Sequence, residues 1–226
     1  MTSIDSITLE VTDLARAQAF YDAAFGLEGH VWLRASTAPT TGFRGYTISL
    51  MVSQPADVRA LVDAAVAAGA TALKPAKKSL WGYGGVLQAP DGTIWQVATS
   101  NKRDSGPATG RYNDMVLLLG VTDMAASKHF YVDQGLTVAR SFGRKYVEFD
   151  LAEGPIKLAL YGRRALAKVA GVPADGTGSH RLAIGTDARS FRDPDGFGWE
   201  ASSAHDTPPR SVRSAGHAQV RTTPSG

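Results

Sequence analysis

Apolar and polar residues alternate over short stretches of this chain, and stretches with helical spacing lie between them. The first alternating stretch, residues 4–12, is rich in β-branched side chains, which predicts a half-buried strand. Behind it Thr12 or Asp13 offers a helix cap, and apolar residues share one stripe of residues 14–24, which predicts a helix. The same reasoning predicts a second helix at 56–68 and strands at 30–35, 45–53, 71–74, 84–89 and 93–99.

The same order of elements begins again after residue 111. In both copies a capping aspartate is followed seven residues later by a Phe-Tyr pair, from Asp13 to Phe20 and from Asp123 to Phe130. One order of elements at two places predicts an internal duplication. The second copy is expected to contain a helix at 125–133, helical propensity at 165–169, and strands at 115–122, 137–142, 145–151, 156–161 and 180–185.

The duplication predicts the domain organisation. We expect a first domain at residues 1–100 and a second at 112–203, each trimmed relative to a full copy. Residues 101–111 are rich in Gly, Pro, Ser and charged side chains, which predicts a linker. Residues 204–226 contain almost no large apolar side chain and are predicted to be disordered.

Each copy closes on a Pro-Asp-Gly turn that leads into a strand. Proline presets its own φ, and glycine accepts the positive φ that such a turn requires. In the second copy the turn leads to Trp199 and Glu200, which point to opposite faces of the strand. In the first copy Gln96 stands where the second copy has Glu200. The sequence therefore places an acid in the second copy and an amide in the first.

Composition narrows the functional classes. The chain has 226 residues, of which 43% are hydrophobic, so it can bury one large core or two small ones. Without cysteine it has no disulfide, no thiolate metal ligand and no cysteine nucleophile. It lacks an apolar run of about 18 residues that would span a bilayer, and its start lacks signal-peptide features. We therefore expect a cytoplasmic protein that is not bound to a membrane.

The net charge of +3 does not indicate a nucleic-acid-binding surface. Three arginines against one aspartate in residues 204–226 leave +2 of that charge in the tail. The body of the chain is therefore nearly neutral, which argues against nucleic-acid binding. We expect a small-molecule ligand or substrate as the partner of a monomer or a homodimer.

The ordered set of motifs resembles the vicinal oxygen chelate superfamily, which includes glyoxalases, bleomycin-resistance proteins and extradiol dioxygenases. The motifs are an opening strand, an Asp-capped helix with Phe-Tyr, a Gly-Leu stop and a closing Asp-Pro-Asp-Gly turn followed by Glu200. The resemblance covers residues 4–203. It implies an α+β fold of tandem glyoxalase-like domains built from βαβββ modules, with curled, mostly antiparallel sheets around a cleft that holds the ligand.

Metal-dependent members of this superfamily carry a His seven residues before the capping Asp and a Glu after the closing turn. In this chain Ser6 and Val116 stand at the two opening positions, and Gln96 replaces the first acid. Thr47, on the middle strand of the first copy, also offers no strong ligand. The first copy is therefore expected to hold no metal.

The second copy keeps two positions of the pattern. His180 stands seven residues before Asp187, and Glu200 follows the closing turn. The resemblance makes them the candidate catalytic pair, with Glu200 as general base, and candidate ligands of a divalent Zn, Ni, Mn or Fe ion completed by Tyr161, Tyr146 or water. The alternative is that both residues only satisfy polar groups lining a cleft.

Two functions follow from these residues. The lost ligand positions favour a metal-free, cofactor-free protein that binds an aromatic or amphipathic metabolite, with Tyr161, Tyr146, Trp81 and Gln96 as candidate ligand contacts. Trp81 has a second interpretation as a buried core residue. The other function is a lyase, isomerase or dioxygenase that uses His180 and Glu200.

Overall fold

The computed structural model describes residues 3–27, 29–80, 82–151 and 154–202. Trp81 and the tail predicted to be disordered, 204–226, lie outside the described residues. The helices are α1 (Leu14–Ala24), α2 (Pro55–Ala67), α3 (Met124–Asp133) and α4 (Arg163–Ala170). None of the helices in the described part of the chain is long and apolar enough to cross a membrane.

Strands make up most of the remaining structure. In the first half they are β1 (Ile4–Val11), β2 (Val31–Ala35), β3 (Thr40–Gly42), β4 (Tyr46–Met51), β5 (Thr71–Ser79), β6 (Gly82–Gln88) and β7 (Ile94–Thr99). In the second half they are β8 (Asp114–Val121), β9 (Thr137–Ser141), β10 (Tyr146–Asp150), β11 (Ile156–Gly162), β12 (Gly176–Gly178), β13 (Leu182–Thr186), β14 (Phe191–Arg192) and β15 (Gly198–Ala201). Helices and strands together confirm the predicted α+β class.

The strands form two large sheets and one short ribbon. A five-stranded sheet has the order β14-β15-β13-β1-β2, and an eight-stranded sheet has the order β5-β6-β7-β4-β8-β11-β10-β9. Strands β12 and β3 pair separately. Each large sheet contains strands from both halves, because β1 pairs with β13 and β4 pairs with β8, both antiparallel. The division into domains 1–100 and 112–203 stays a prediction about the sequence repeat.

Helices α1 and α3 each begin after a capping aspartate, as the sequence predicts. Asp13, rather than Thr12, caps α1, since its Oδ1 accepts a hydrogen bond from the Arg16 amide at 3.0 Å. Asp123 caps α3 through amide donors at Ala125 and Ala126, 2.9 and 3.2 Å from its Oδ1. These bonds satisfy amide groups that the first turn of a helix leaves without a helical partner.

The main core lies between helices α1, α2 and α3 and one face of each large sheet. The Phe-Tyr pairs of α1 and α3 pack in it, with Tyr21 and Tyr131 almost fully buried. The Tyr21 hydroxyl donates to the Asp91 carboxylate at 3.0 Å, and the Tyr131 hydroxyl donates to Asp193. Helices α1 and α3 are therefore each hydrogen-bonded to the closing turn of their own repeat.

Several predicted element ends differ from the structure, most by one or two residues, and two of the differences have a clear physical cause. The strand expected at 180–185 begins at Leu182, because Arg181 has a φ of 54° in the left-handed region and interrupts the extended backbone. The strand expected at 71–74 extends to Ser79, where its lysine-rich end pairs with β6. Lysine is common on such edge strands because its charge discourages pairing with another chain.

Candidate functional site

Helix α4 lies on the face of the eight-stranded sheet that is turned away from the main core. Leu166, Ala167 and Ala170 are buried there, in a second apolar cluster that includes Leu118 and Ala159 of the sheet. The helix therefore covers part of a face that would otherwise be open.

Both ends of α4 are fastened by cationic side chains. Lys74 Nζ on β5 donates to the carbonyl oxygens of Lys168 and Val169, each at 2.6 Å. A cation suits this position because carbonyl groups give the helix C-terminus a partial negative charge. At the other end Arg163 donates to the Phe43 carbonyl at 2.6 Å and lies over the Phe43 ring.

Beside α4, the same sheet face forms a cavity of about 390 Å³, here called the tyrosine cavity. Tyr146 on β10 and Tyr161 on β11 are direct partners across neighbouring strands, with ring centroids 5.0 Å apart and an interplanar angle of 68°. Val116 and Leu118 of β8 supply apolar lining. The cavity therefore offers aromatic edges and faces above an apolar surface.

Polar groups form much of the lining of the tyrosine cavity, and several of them are already hydrogen-bonded. The Tyr146 hydroxyl donates to Glu148 Oε2 at 3.0 Å, and Gln96 Nε2 donates to Thr47 Oγ1 at 2.8 Å. Burial first, and then the charge of Glu148, raise the pKa of Tyr146 and of Tyr161 above the usual phenol value. Both phenols are therefore neutral near pH 7 and can donate hydrogen bonds.

A second cavity of about 320 Å³, here called the carboxylate cavity, lies on the five-stranded sheet and contains His180 and Glu200 in its lining. Arg34 on β2 binds both Glu200 carboxylate oxygens, with Nη1–Oε2 at 3.0 Å and Nη2–Oε1 at 2.9 Å. Arg34 Nη2 also donates to Glu10 Oε1 at 2.8 Å. These hydrogen bonds, Glu200 first, raise the pKa of Arg34 above its usual value. Two carboxylates thus share one guanidinium.

His180 lies just before β13 and is held by backbone groups. Its Nδ1 lies 2.6 Å from the Arg44 carbonyl oxygen, and its Nε2 lies 3.1 Å from the Asp195 carbonyl oxygen. Its ring stacks on Phe197 with a centroid distance of 4.0 Å. A metal ligand or general base needs a nitrogen lone pair directed at the reacting group. Here both nitrogens face carbonyl acceptors instead.

The donor set around Glu200 does not fit a divalent ion in this arrangement. Glu200 is engaged by Arg34, and His180 faces carbonyl oxygens. Among residues 3–27, 29–80, 82–151 and 154–202, no group of three or more His, Asp or Glu side chains could hold a metal ion. To bind one metal ion together, Glu200 would have to leave Arg34 and His180 would have to turn away from the carbonyl oxygens. Their shared metal role therefore stays a prediction.

The predicted site residues thus fall into two groups. Tyr146, Tyr161 and Gln96 share the tyrosine cavity, whereas His180 and Glu200 share the carboxylate cavity. Sequence reasoning missed Glu148, although its place two residues after Tyr146 on one strand puts both side chains on the same face. It also missed Arg34, whose approach to Glu200 depends on strand order within the five-stranded sheet.

Comparison with known proteins identifies the fold. No family model matches the sequence, and no curated protein matches it. Glyoxalase I from Zea mays is 17% identical, with 88% of this chain and 91% of that chain covered and a TM-score of 0.58. A putative dioxygenase from Bacillus subtilis subsp. subtilis strain 168 is 12% identical, with 89% of each chain covered and a TM-score of 0.54.

At these identities the structural likeness concerns the fold alone. Because the matches extend over nearly nine-tenths of the chain, the fold is that of the vicinal oxygen chelate superfamily across both repeats. The fold expected from the sequence motifs is thereby confirmed. This fold supports many chemistries, so function depends on the side chains of the two cavities.

Proposed function

We propose that this protein binds a small aromatic or amphipathic molecule in the tyrosine cavity without the help of a metal ion. The observation that carries the proposal is the pairing of Tyr146 and Tyr161 above the apolar side chains of Val116 and Leu118. A volume of about 390 Å³ lies within the range of about 300 to 1,000 Å³ that is common for small-molecule sites.

Each part of the cavity has a distinct role in this proposal. The ring edges and faces of the two tyrosines contact the aromatic or apolar body of the ligand. The Tyr161 hydroxyl, the acceptor lone pair of the Tyr146 oxygen and the Gln96 amide provide hydrogen bonds that orient its polar part. Helix α4 limits the length of the ligand, because it covers the adjoining part of the sheet face.

Ligand-induced thermal stabilisation tests the proposal. We expect members of a panel of aromatic and amphipathic metabolites to raise the melting temperature of the native protein, because a ligand that binds the folded state stabilises it. Tyr146→Leu and Tyr161→Leu should remove this ligand-dependent rise. Tyr83→Leu is the matched control, since Tyr83 is a half-buried tyrosine of the same sheet that does not line the tyrosine cavity.

The result also discriminates between the two cavities. If the ligand-dependent rise survives both tyrosine substitutions and disappears in Arg34→Gln, the ligand binds in the carboxylate cavity and the proposal is wrong. If no panel member stabilises the native protein, the proposal fails for this ligand class.

One observation favours a second function, because Glu200 and His180 line the same cavity. In that case Glu200 serves as the general base of a lyase or isomerase once a substrate replaces Arg34 at the carboxylate. Elemental analysis distinguishes the metal-dependent form of this function. Stoichiometric Zn, Ni, Mn or Fe in the purified protein that is lost in Glu200→Ala would contradict the metal-free proposal. We expect no such metal.

A further inference from the structure

The tyrosine cavity contains an acid that no described cation contacts. Glu148 is half-buried on β10, and its Oε2 accepts the hydrogen bond from Tyr146. In the part of the chain that the structure describes, Glu148 forms no ion pair within 4.0 Å. A carboxylate that a ligand covers without a charge partner loses hydration and becomes costly.

The neighbouring cations do not supply Glu148 with a charge partner. Lys157, which also lines the cavity, is paired with Asp114 at 2.8 Å. Arg140 on β9 lies opposite Glu148 in the strand register, but its side chain is exposed and is not in ion-pair contact with Glu148. Lys157 and Asp114 cancel each other locally, so Glu148 and the more distant Arg140 determine the charge that a ligand meets.

We propose that the ligand of the tyrosine cavity is an organic cation, an ammonium group attached to an aromatic or branched apolar body. The inference rests on the proposed function and adds the charge of the ligand to it. The ammonium group donates to the Glu148 carboxylate and lies against the Tyr146 and Tyr161 rings, where the ring quadrupole attracts a cation. The apolar body packs on Val116 and Leu118.

Other charge types fit the same groups less well. An anionic ligand would be repelled by Glu148. A neutral ligand would displace water from the Glu148 carboxylate without supplying a charge to replace that hydration. The Tyr146 hydroxyl does not compensate for this loss, since its hydrogen bond to Glu148 is present before the ligand binds. A cation is therefore the charge type that all these groups favour together.

Three probes of similar size and different charge test the assignment. Isothermal titration at pH 7 compares 2-phenylethylamine, which is protonated, with neutral 2-phenylethanol and anionic 3-phenylpropionate. We expect the amine to bind about tenfold more tightly than the alcohol, the range given by a cation–π contact together with a partly exposed ion pair. The propionate should bind most weakly.

Substitutions then locate the charge effect. Glu148→Gln keeps an acceptor for the Tyr146 hydroxyl and removes the ion pair, so the amine preference should fall to the few-fold that a cation–π contact alone supplies. Asp150→Asn, which removes an exposed acid of the same strand, is the matched control and should leave the amine preference intact. Arg140→Gln should tighten amine binding, because it removes the cation that lies opposite Glu148 in the register.

The outcomes separate this inference from the proposed function. If the amine and the alcohol bind equally and both need Tyr161, the cavity is the ligand site and the cation assignment is wrong. If none of the three probes binds while another panel ligand needs Tyr161, the cation assignment also fails. A tenfold amine preference that persists undiminished in Glu148→Gln, whatever the effect of Asp150→Asn, overturns it as well. If no ligand of any charge depends on Tyr161, the proposed function itself fails.

Discussion

Tyr131 and Asp193 form a buried hydrogen bond whose strength depends on the charge of the aspartate. Burial raises the pKa of Asp193 above its usual value, whereas the hydrogen bond from Tyr131 acts in the opposite direction. An acid with a raised folded-state pKa contributes most to stability below its unfolded-state pKa of about 3.9. That contribution is lost as pH rises through the folded-state pKa.

Tyr131→Phe should therefore destabilise the protein more at pH 7 than at pH 4. At pH 7 the variant leaves an ionised, buried Asp193 without one of its donors, at a cost of about 1 to 3 kcal/mol in the free energy of unfolding. Near pH 4 the partly protonated carboxyl needs that donor less. Chemical unfolding at the two pH values measures the difference. In an Asp193→Asn background Tyr131→Phe should cost the same at both, and an equal cost in the native background would contradict this account.

At the scale of elements, α4 is defined by contacts that are distant in sequence. Lys74 on β5 holds its C-terminal carbonyls, and Leu166 fills the apolar cluster on the sheet face. Its start at Arg163 follows directly after β11, so the segment that ends at Tyr161 also leads into the helix. Tyr146 and Tyr161 pack against the same apolar cluster, so α4 borders the part of the sheet face that carries the tyrosine cavity.

Replacing Lys74 should loosen α4 without unfolding the molecule. Lys74→Met removes two charge-assisted hydrogen bonds at a partly solvent-exposed helix end, and we expect local opening of α4 to become easier by on the order of 1 kcal/mol. Amide hydrogen exchange in residues 163–170 should then be about fivefold faster. Lys77→Met, at an exposed lysine of the same strand, is the control. Equal protection of α4 in both variants would show that Lys74 does not hold the helix.

Local sequence signals predicted most elements because the relevant contacts are short-range. Asp13 and Asp123 cap helices through amides two or three residues away, and the Pro-Asp-Gly turns depend on their own backbone angles. The helical propensity of residues 165–169 predicts a helix, and α4 lies there, but no local pattern indicates where this helix packs. The residue pattern predicts a strand that begins at His180, but the left-handed Arg181 interrupts the extended backbone there.

At the scale of the whole molecule, the two repeats share both large sheets. Strand β1 of the first repeat pairs with β13 of the second, and β4 pairs with β8 at the centre of the eight-stranded sheet. The sequence indicates the duplication but does not indicate that strands of the two repeats pair with each other. The pairing of strands that are distant in sequence depends on tertiary packing. The grouping of candidate residues into two cavities follows from the same pairing, which no local pattern encodes.

Shared sheets predict that neither half folds alone. Separately produced halves, 1–111 and 112–226, should lack cooperative unfolding, since each loses strand partners and exposes part of the common core. Mixing the halves during refolding should restore cooperative unfolding and the native circular dichroism spectrum. If each half alone gives a dispersed amide spectrum and a cooperative transition, then the predicted domains 1–100 and 112–203 are independent units.

The measurement that tests the ligand site most directly is a crystal structure of the protein with the tightest-binding member of the ligand panel. We expect ligand density against the Tyr146 and Tyr161 rings, with the polar end of the ligand directed at Glu148 and helix α4 bordering the other end. Density in the carboxylate cavity, with Arg34 displaced from Glu200 and the tyrosine cavity filled only by water, would contradict it.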